Sequence, residues 1–359
     1  MTLKDRLKAE IAANGPISVA DYMARCLFDP EEGYYETRPS LGEDGDFITA
    51  PLVSQMFGEL IGLWAAETWV RLGRPARVLL VEMGPGDGTL MSDALRAARL
   101  APDFLAAAEL WLIEPSGPLR SLQQSALAGA SLAPGWSPDL DAVPHGAPLI
   151  LIANELLDCL PARQFLRVGE AWAERMVGLD DAGDLAFGLK PATRPTGAPA
   201  DLEPGLIWEL SPSQQALGAE VGERIAADGG AALFIDYGRD EPGPGDTLQA
   251  LRRHTKVDPL GEPGAADLTV WADFPSFLGA ARESGAETAL MEQGTFLRRL
   301  GVEHRARALA AARPDREETL IRQLSRLVDA EHMGALFKAA AIWSKGADRP
   351  PGFEAEESA

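Results

Sequence analysis

The stretch Arg77-Val78-Leu79-Leu80-Val81-Glu82-Met83-Gly84-Pro85-Gly86-Asp87-Gly88-Thr89-Leu90 runs from a short, partly β-branched apolar segment into a cluster of glycines. Beyond it Leu90, Met91, Ala94, Leu95 and Ala98 recur at helical spacing, so the stretch reads as strand, tight turn, helix. Glycines in such a turn remove the side chains that would keep backbone away from a ligand at the helix N-terminus. A dinucleotide fingerprint G-x-G-x-x-G needs a glycine three after Gly86, where Thr89 stands. No Gly-Lys-Ser/Thr exists, which excludes a P-loop.

Working outward, Leu110 to Ile113 is a second buried strand ending at Glu114. Leu149 to Ala153 ends at Asn154-Glu155, and Ala231 to Ile235 ends at Asp236-Tyr237-Gly238. Strands separated by helical patterns form parallel β-α-β units, whose ligands sit beyond the carboxyl ends of the strands. Leu336 to Trp343 is expected to be a last strand, and Leu320, Ile321, Leu324, Leu327 and Val328 mark a helix before it. On the N-terminal side, Leu3, Leu7 and Ile11 predict one helix, and Val19, Tyr22, Met23, Cys26 and Leu27 a second. Phe57, Leu60, Ile61, Trp64, Thr68, Trp69 and Leu72 line a longer one. Between 161 and 210 short alternating runs predict an inserted antiparallel meander, and Ser211-Pro212 opens another helix. Residues 238–274, dense in Pro and Gly, read as a lid. The expected division is a helical extension over 1–74, an α/β domain over 75–345, and a disordered acidic, proline-containing tail over 346–359.

The chain has 359 residues, 46% hydrophobic and 24% charged, room for about two domains. Its net charge of −21 argues against duplex nucleic acid or an anionic membrane as partner and leaves a basic partner open. Cys26 and Cys159, the two cysteines, allow neither a disulfide framework nor a four-cysteine zinc site, and suggest a reducing compartment. The N-terminus is charged where a signal peptide needs an apolar stretch, and no run approaches the roughly 18 apolar residues of a membrane span. A cytoplasmic protein is expected. His145, His254, His304 and His332 lack ligand spacing, so no metal site is expected.

An acid before the turn, glycines at alternate positions, and a second carboxylate after the next strand suit a nucleoside with an amino-acid tail: S-adenosylmethionine. Glu114 can accept both ribose hydroxyls, and Glu82 supplies negative charge near the ammonium and sulfonium, where paired carboxylates would repel a pyrophosphate. The cofactor set is Glu82, Gly84, Pro85, Gly86, Gly88, Thr89, Glu114 and Asn154, with Gly45, Asp46, Phe47 and Thr49 as a glycine-hinged segment closing on the donor. Trp136 is a candidate to flank adenine.

With these blocks the chain resembles the MidA-like methyltransferases, a family that includes mitochondrial complex I assembly factors. The likeness extends over nearly the whole chain through Gly33-Tyr34-Tyr35, Gly45-Asp46-Phe47-Ile48-Thr49-Ala50-Pro51, Asn154-Glu155-Leu156-Leu157-Asp158-Cys159-Leu160-Pro161, Asp236-Tyr237-Gly238, Asp246-Thr247-Leu248-Gln249-Ala250 and Met333-Gly334-Ala335-Leu336-Phe337-Lys338. It departs at Leu52, where a Glu is usual, and at Leu156-Leu157 and Cys159. The resemblance implies a class I, Rossmann-like methyltransferase fold, α/β with a mainly parallel seven-stranded sheet. It also implies symmetric methylation of an arginine in a respiratory complex I type subunit.

For a guanidinium acceptor with a pKa above about 12, carboxylates can orient one nitrogen and take up charge as the proton leaves. Glu155 and Asp158, three apart after the strand to Ala153, are the first candidates, with Asp236 and Tyr237 adding a carboxylate and a phenol wall. His254 is a possible proton relay. A non-catalytic donor-binding assembly chaperone and a small-molecule methyltransferase are the alternatives. A nicotinamide-dependent oxidoreductase ranks last because the third glycine is missing.

Overall fold

Runs of apolar residues buried on both faces belong in the middle of a parallel sheet, and that is where the computed structural model puts them. It describes residues 1–37 and 49–354. Strand β1 (Val78–Met83) is buried at all six positions. With it run β2 (Ala108–Ile113), β3 (Gly135–Ser137), β4 (Leu149–Asn154), β5 (Gly230–Arg239), β6 (Glu287–Glu292) and β7 (Phe337–Trp343). Their order is β6-β7-β5-β4-β1-β2-β3. All neighbouring pairs from β5 to β3 are parallel, while β7 is antiparallel to both β5 and β6.

Two compact units divide the chain. The first comprises Met1–Phe47, Leu157–Ala216 and Arg239–Ser276, the second Ile48–Leu156, Leu217–Gly238 and Phe277–Ala359. The second holds these seven strands, with β5 as far as Gly238; the sheet counts an eighth, the two-residue strand Ala272–Asp273. The helix Gln55–Arg71, expected with the N-terminal extension, packs here through Phe57, Leu60, Ile61 and Trp64 into the same core as Val78, Leu80, Ile150 and Leu233. Its close neighbour is the helix Thr89–Ala98. A Cβ on Gly62 would lie 2.2 Å from the carbonyl oxygen of Ala94, so only glycine permits that approach.

The tail expectation is corrected within this unit for the described part: the chain after Gly346 is packed as far as Phe353, and residues 355–359 lie outside the described residues. Phe353 is 1% exposed and packs at a tilt against Phe296 with ring centres 5.2 Å apart. The prolines turn the backbone so that Pro351 O accepts from Trp64 Nε1 at 3.2 Å and Arg349 O from Arg71 at 2.7 Å. Composition suggested disorder because it weighs the many polar residues above the one aromatic anchor.

The first unit brings the two N-terminal helices together with the insert. Leu3–Asn14 and Val19–Phe28 each begin with a capping box, Thr2 with Asp5 and Ser18 with Asp21, and bury the residues their spacing predicted. The meander consists of Arg163–Val168, Ala171–Leu179, Leu185–Ala192 and Ile207–Leu210, all antiparallel. Residues Ile17–Ser18 extend it beside Ala171–Leu179. Residues 238–274 form strands of their own, with Gln249–Arg252 pairing Thr255–Val257 and Asp267–Thr269. Both cysteines are buried thiols. Among the described residues no helix is long and apolar enough to cross a membrane.

Candidate active site

The glycine turn leaves β1 through three left-handed glycines, Gly84, Gly86 and Gly88, with φ of 68°, 53° and 87°. Each is a conformation that L side chains adopt only at a cost. Space is also limiting: a Cβ on Gly84 would meet Leu156 at 2.9 Å and one on Gly88 the backbone of Gln123 at 3.2 Å. Pro85 O accepts from Gly88 N, and Asp87 accepts from Thr89 N at 2.9 Å, which fixes the first turn of the helix Thr89–Ala98. The resulting cradle of backbone amides carries the positive end of that helix.

Glu82 lies immediately beneath. It is 2% exposed, and among the described residues its Oε2 has no hydrogen-bond partner. Burial, then the charge of Asp87, raises its pKa from 4.5 to about 8. A buried acid with an unanswered oxygen fits a cationic or hydrogen-bond-donating ligand group. Asn154, at the end of β4, has a similarly unanswered Oδ1 among the described residues.

Glu114 follows β2. Its Oε1 accepts from Ser116 N at 2.9 Å and its Oε2 from Gln123 Nε2 at 3.2 Å. A carboxylate offers about four acceptor positions, enough to hold these donors and bind a ribose diol. The sequence reading missed Gln123, which is fully buried. Its Nε2 also donates to Gly86 O at 2.8 Å, and its Oε1 accepts from Trp136 Nε1 at 2.9 Å. One amide therefore fastens the glycine turn, the Glu114 carboxylate and the Trp136 indole. The available signal was an amide four residues after Leu119 on the buried face of the helix Gly117–Ala126.

Glu155 has φ of +53°, one of four described non-glycine residues in the left-handed region. Strained residues of this kind persist where their surroundings hold them, often at functional sites. Here Glu155 N donates to Ile235 O at 2.8 Å, while Oε1 accepts from Asn154 Nδ2 and from Ala50 N, both at 3.0 Å. The second contact holds the start of the short helix Ala50–Val53, for which Thr49 is the N-cap. Asp236 is 1% exposed near the end of β5 and accepts from Tyr237 N at 2.8 Å. Tyr237 packs on Phe337 at 5.4 Å between ring centres.

The sheet unit thus gathers Glu82, Gly84, Pro85, Gly86, Gly88, Thr89, Glu114, Asn154, Glu155, Asp236, Tyr237 and Thr49. Asp158 belongs to the other unit, where Val270 N donates to its carbonyl. It contributes there to the field around the half-buried Tyr35. That phenol donates to Asp267 at 3.2 Å and is driven well above its ordinary pKa by burial, then by Asp267, Cys159 and Asp158. Gly45, Asp46 and Phe47 lie outside the described residues. His254 sits at a two-residue hairpin turn with φ of 60°.

A parallel sheet with one antiparallel strand, β7, an amide cradle over a buried acid, and a carboxylate after the neighbouring strand define a class I S-adenosylmethionine-dependent methyltransferase. Residues 60–291 match the family model described as "Putative S-adenosyl-L-methionine-dependent methyltransferase". The mitochondrial protein arginine methyltransferase NDUFAF7 of Mus musculus is 35% identical over 94% of this chain and 83% of its own. Its Caenorhabditis elegans homologue is 33% identical over 96% of this chain and 86% of its own. A solved structure from Burkholderia thailandensis, bound to S-adenosyl-homocysteine, superposes with a TM-score of 0.84 at 28% identity, covering 98% of this chain and 93% of that one. The chain belongs to this MidA-like family of S-adenosylmethionine-dependent methyltransferases.

Proposed function

We propose that the chain methylates an arginine side chain of a protein substrate, with Glu155 as the group that receives the guanidinium. The observation that carries this reading is the Glu155 carboxylate, held by two donors on a left-handed backbone directly after the strand next to β1. Relatives at 33–35% identity that are named protein arginine methyltransferases support it.

When bound, S-adenosylmethionine supplies an electrophilic methyl carbon, and transfer to nitrogen breaks its bond to sulfur and leaves S-adenosyl-homocysteine. The protein's work is positioning. Glu155 orients one guanidinium nitrogen and balances the positive charge until the proton is lost, with Asp236 as a further carboxylate and Tyr237 as an aromatic wall. Gln123 and Glu114 keep the cradle and ribose acceptor in register. Of targets, we favour a basic segment of a complex I type NADH dehydrogenase subunit, symmetrically dimethylated in the cytoplasm. The net charge of −21 supports a basic substrate.

The test is incubation of the protein and methyl-labelled S-adenosylmethionine with extract from cells lacking the gene, followed by hydrolysis of labelled protein. One labelled band yielding dimethylarginine is expected. Label in free metabolites would point to a small-molecule methyltransferase, and no label with donor binding intact to an assembly chaperone. Glu155→Gln keeps an acceptor for Ala50 N but no charge for the guanidinium. It should abolish transfer and leave donor binding nearly unchanged; lost donor binding would move Glu155 into the cofactor site.

A further inference from the structure

On an acidic chain, the segment from Arg298 to His332 is an exception, with eight arginines against six acidic residues. Several of those charges are already used. Glu59 takes Arg305 and Arg96, Asp315 takes Arg313, and Arg298 is shared by Glu303 and Asp329. Arg322 and Arg326 are different. They are exposed and one turn apart on the helix Glu317–Val328, hence side by side. Arg322 bonds only the neutral Thr319 hydroxyl, and Arg326 has no hydrogen bond or ion pair among the described residues. Between them and His332 lies an open cavity of about 650 Å³, with Ile321 and Met333 as its apolar lining. Ile321 is 58% exposed.

The same helix borders a second cavity of about 370 Å³, lined by Leu52, Leu309, Arg313, Arg316, Leu320 and Gln323. Among the described residues neither cavity has an acidic lining residue, although the chain carries 54 of them. Arg322 and Arg326, without ionic partners among the described residues and set beside exposed Ile321, complement an acidic segment bearing apolar side chains.

We propose that the helix Glu317–Val328 is a docking surface for an acidic, partly apolar segment of a partner protein, with Arg322 and Arg326 pairing its carboxylates and Ile321 receiving an apolar side chain. Ile321, Arg322 and Arg326 are none of the candidate site residues, and the proposal does not depend on which residue the enzyme methylates.

The probe is a short fluorescein-labelled peptide of glutamate and leucine, followed by anisotropy with the full chain at low and high salt. Saturable binding at low salt, weakened by added salt, is expected. The double variant R322E/R326E should lower affinity about tenfold or more. The double variant R307E/K345E makes the same change in net charge at exposed positions elsewhere and should have a much smaller effect. Donor binding, measured by calorimetry, and thermal unfolding should be unchanged in both, which separates this proposal from the methyltransferase reading. Absence of peptide binding would overturn the proposal, as would equal losses in the two variants. So would an oligonucleotide of the same charge that binds as tightly, or a self-associated chain that R322E/R326E converts to monomer without peptide binding.

Discussion

Glu82→Gln replaces a buried acid by a neutral group of nearly the same shape, and its effect follows from the pKa of Glu82. Burial and the charge of Asp87 raise that pKa from 4.5 to about 8, so the folded protein keeps a proton that the unfolded chain has lost. The sign is therefore opposite to that of a salt-bridged carboxylate. Stability from this group is complete below about pH 4.5, declines by about 1.4 kcal/mol per pH unit, and levels off above about pH 8. At pH 7 the accumulated penalty on the ligand-free protein is on the order of 3 kcal/mol. The assay is urea unfolding of both proteins, without ligand, at intervals from pH 5 to 8. The wild type should lose stability relative to the variant as pH rises. The slope rather than the offset carries the test, because the amide brings its own hydrogen-bonding needs. Parallel curves would refute the assignment of Glu82 as a proton-holding acid. In the wild type, calorimetry in buffers of different ionisation enthalpy should show a proton released on S-adenosylmethionine binding, and the variant should lack that release.

Three further outcomes are expected. Gln123→Ala removes an amide that fastens Gly86, Glu114 and Trp136. It should cost about 1–3 kcal/mol in unfolding experiments and raise the S-adenosylmethionine Kd; unchanged binding would remove Gln123 from cofactor support. Gly88→Ala forces an L side chain to φ of 87° with its Cβ 3.2 Å from Gln123. A stability loss of about 1–2 kcal/mol and weaker donor binding should appear together, in unfolding and in titration. Phe353→Ala empties a core position and should cost about 3–5 kcal/mol, whereas a neutral result would return the tail to disorder.

Much of the fold is legible because parallel strands buried on both faces have little freedom in composition. Val78–Met83 and Leu149–Asn154 are identified by apolar content, and the polar residues after them mark the ligand side. The N-terminal helices were legible from the spacing of their apolar residues. Less visible was how segments distant in sequence share a unit. Glu155 and Asp158 are three residues apart, yet the division between units falls after Leu156, and local spacing carries no trace of that. Gln123 was obscured for a related reason: its partners come from the turn after β1 (Gly86), the end of β2 (Glu114) and the middle of β3 (Trp136), and only the folded chain brings them to one amide.

The placement of β7 also bears on biosynthesis. This strand follows both β5 and β6 in the chain, but it sits between them and pairs with both, buried at all seven positions. A nascent chain that has not yet reached Phe337 therefore leaves β5 and β6 with unpaired backbone edges, the kind of surface that recruits foreign strands. Sheet closure waits on synthesis of β7, and a chain shortened by a premature stop before it would lack the strand that joins β6 to the rest of the sheet, making such products targets for aggregation or proteolysis.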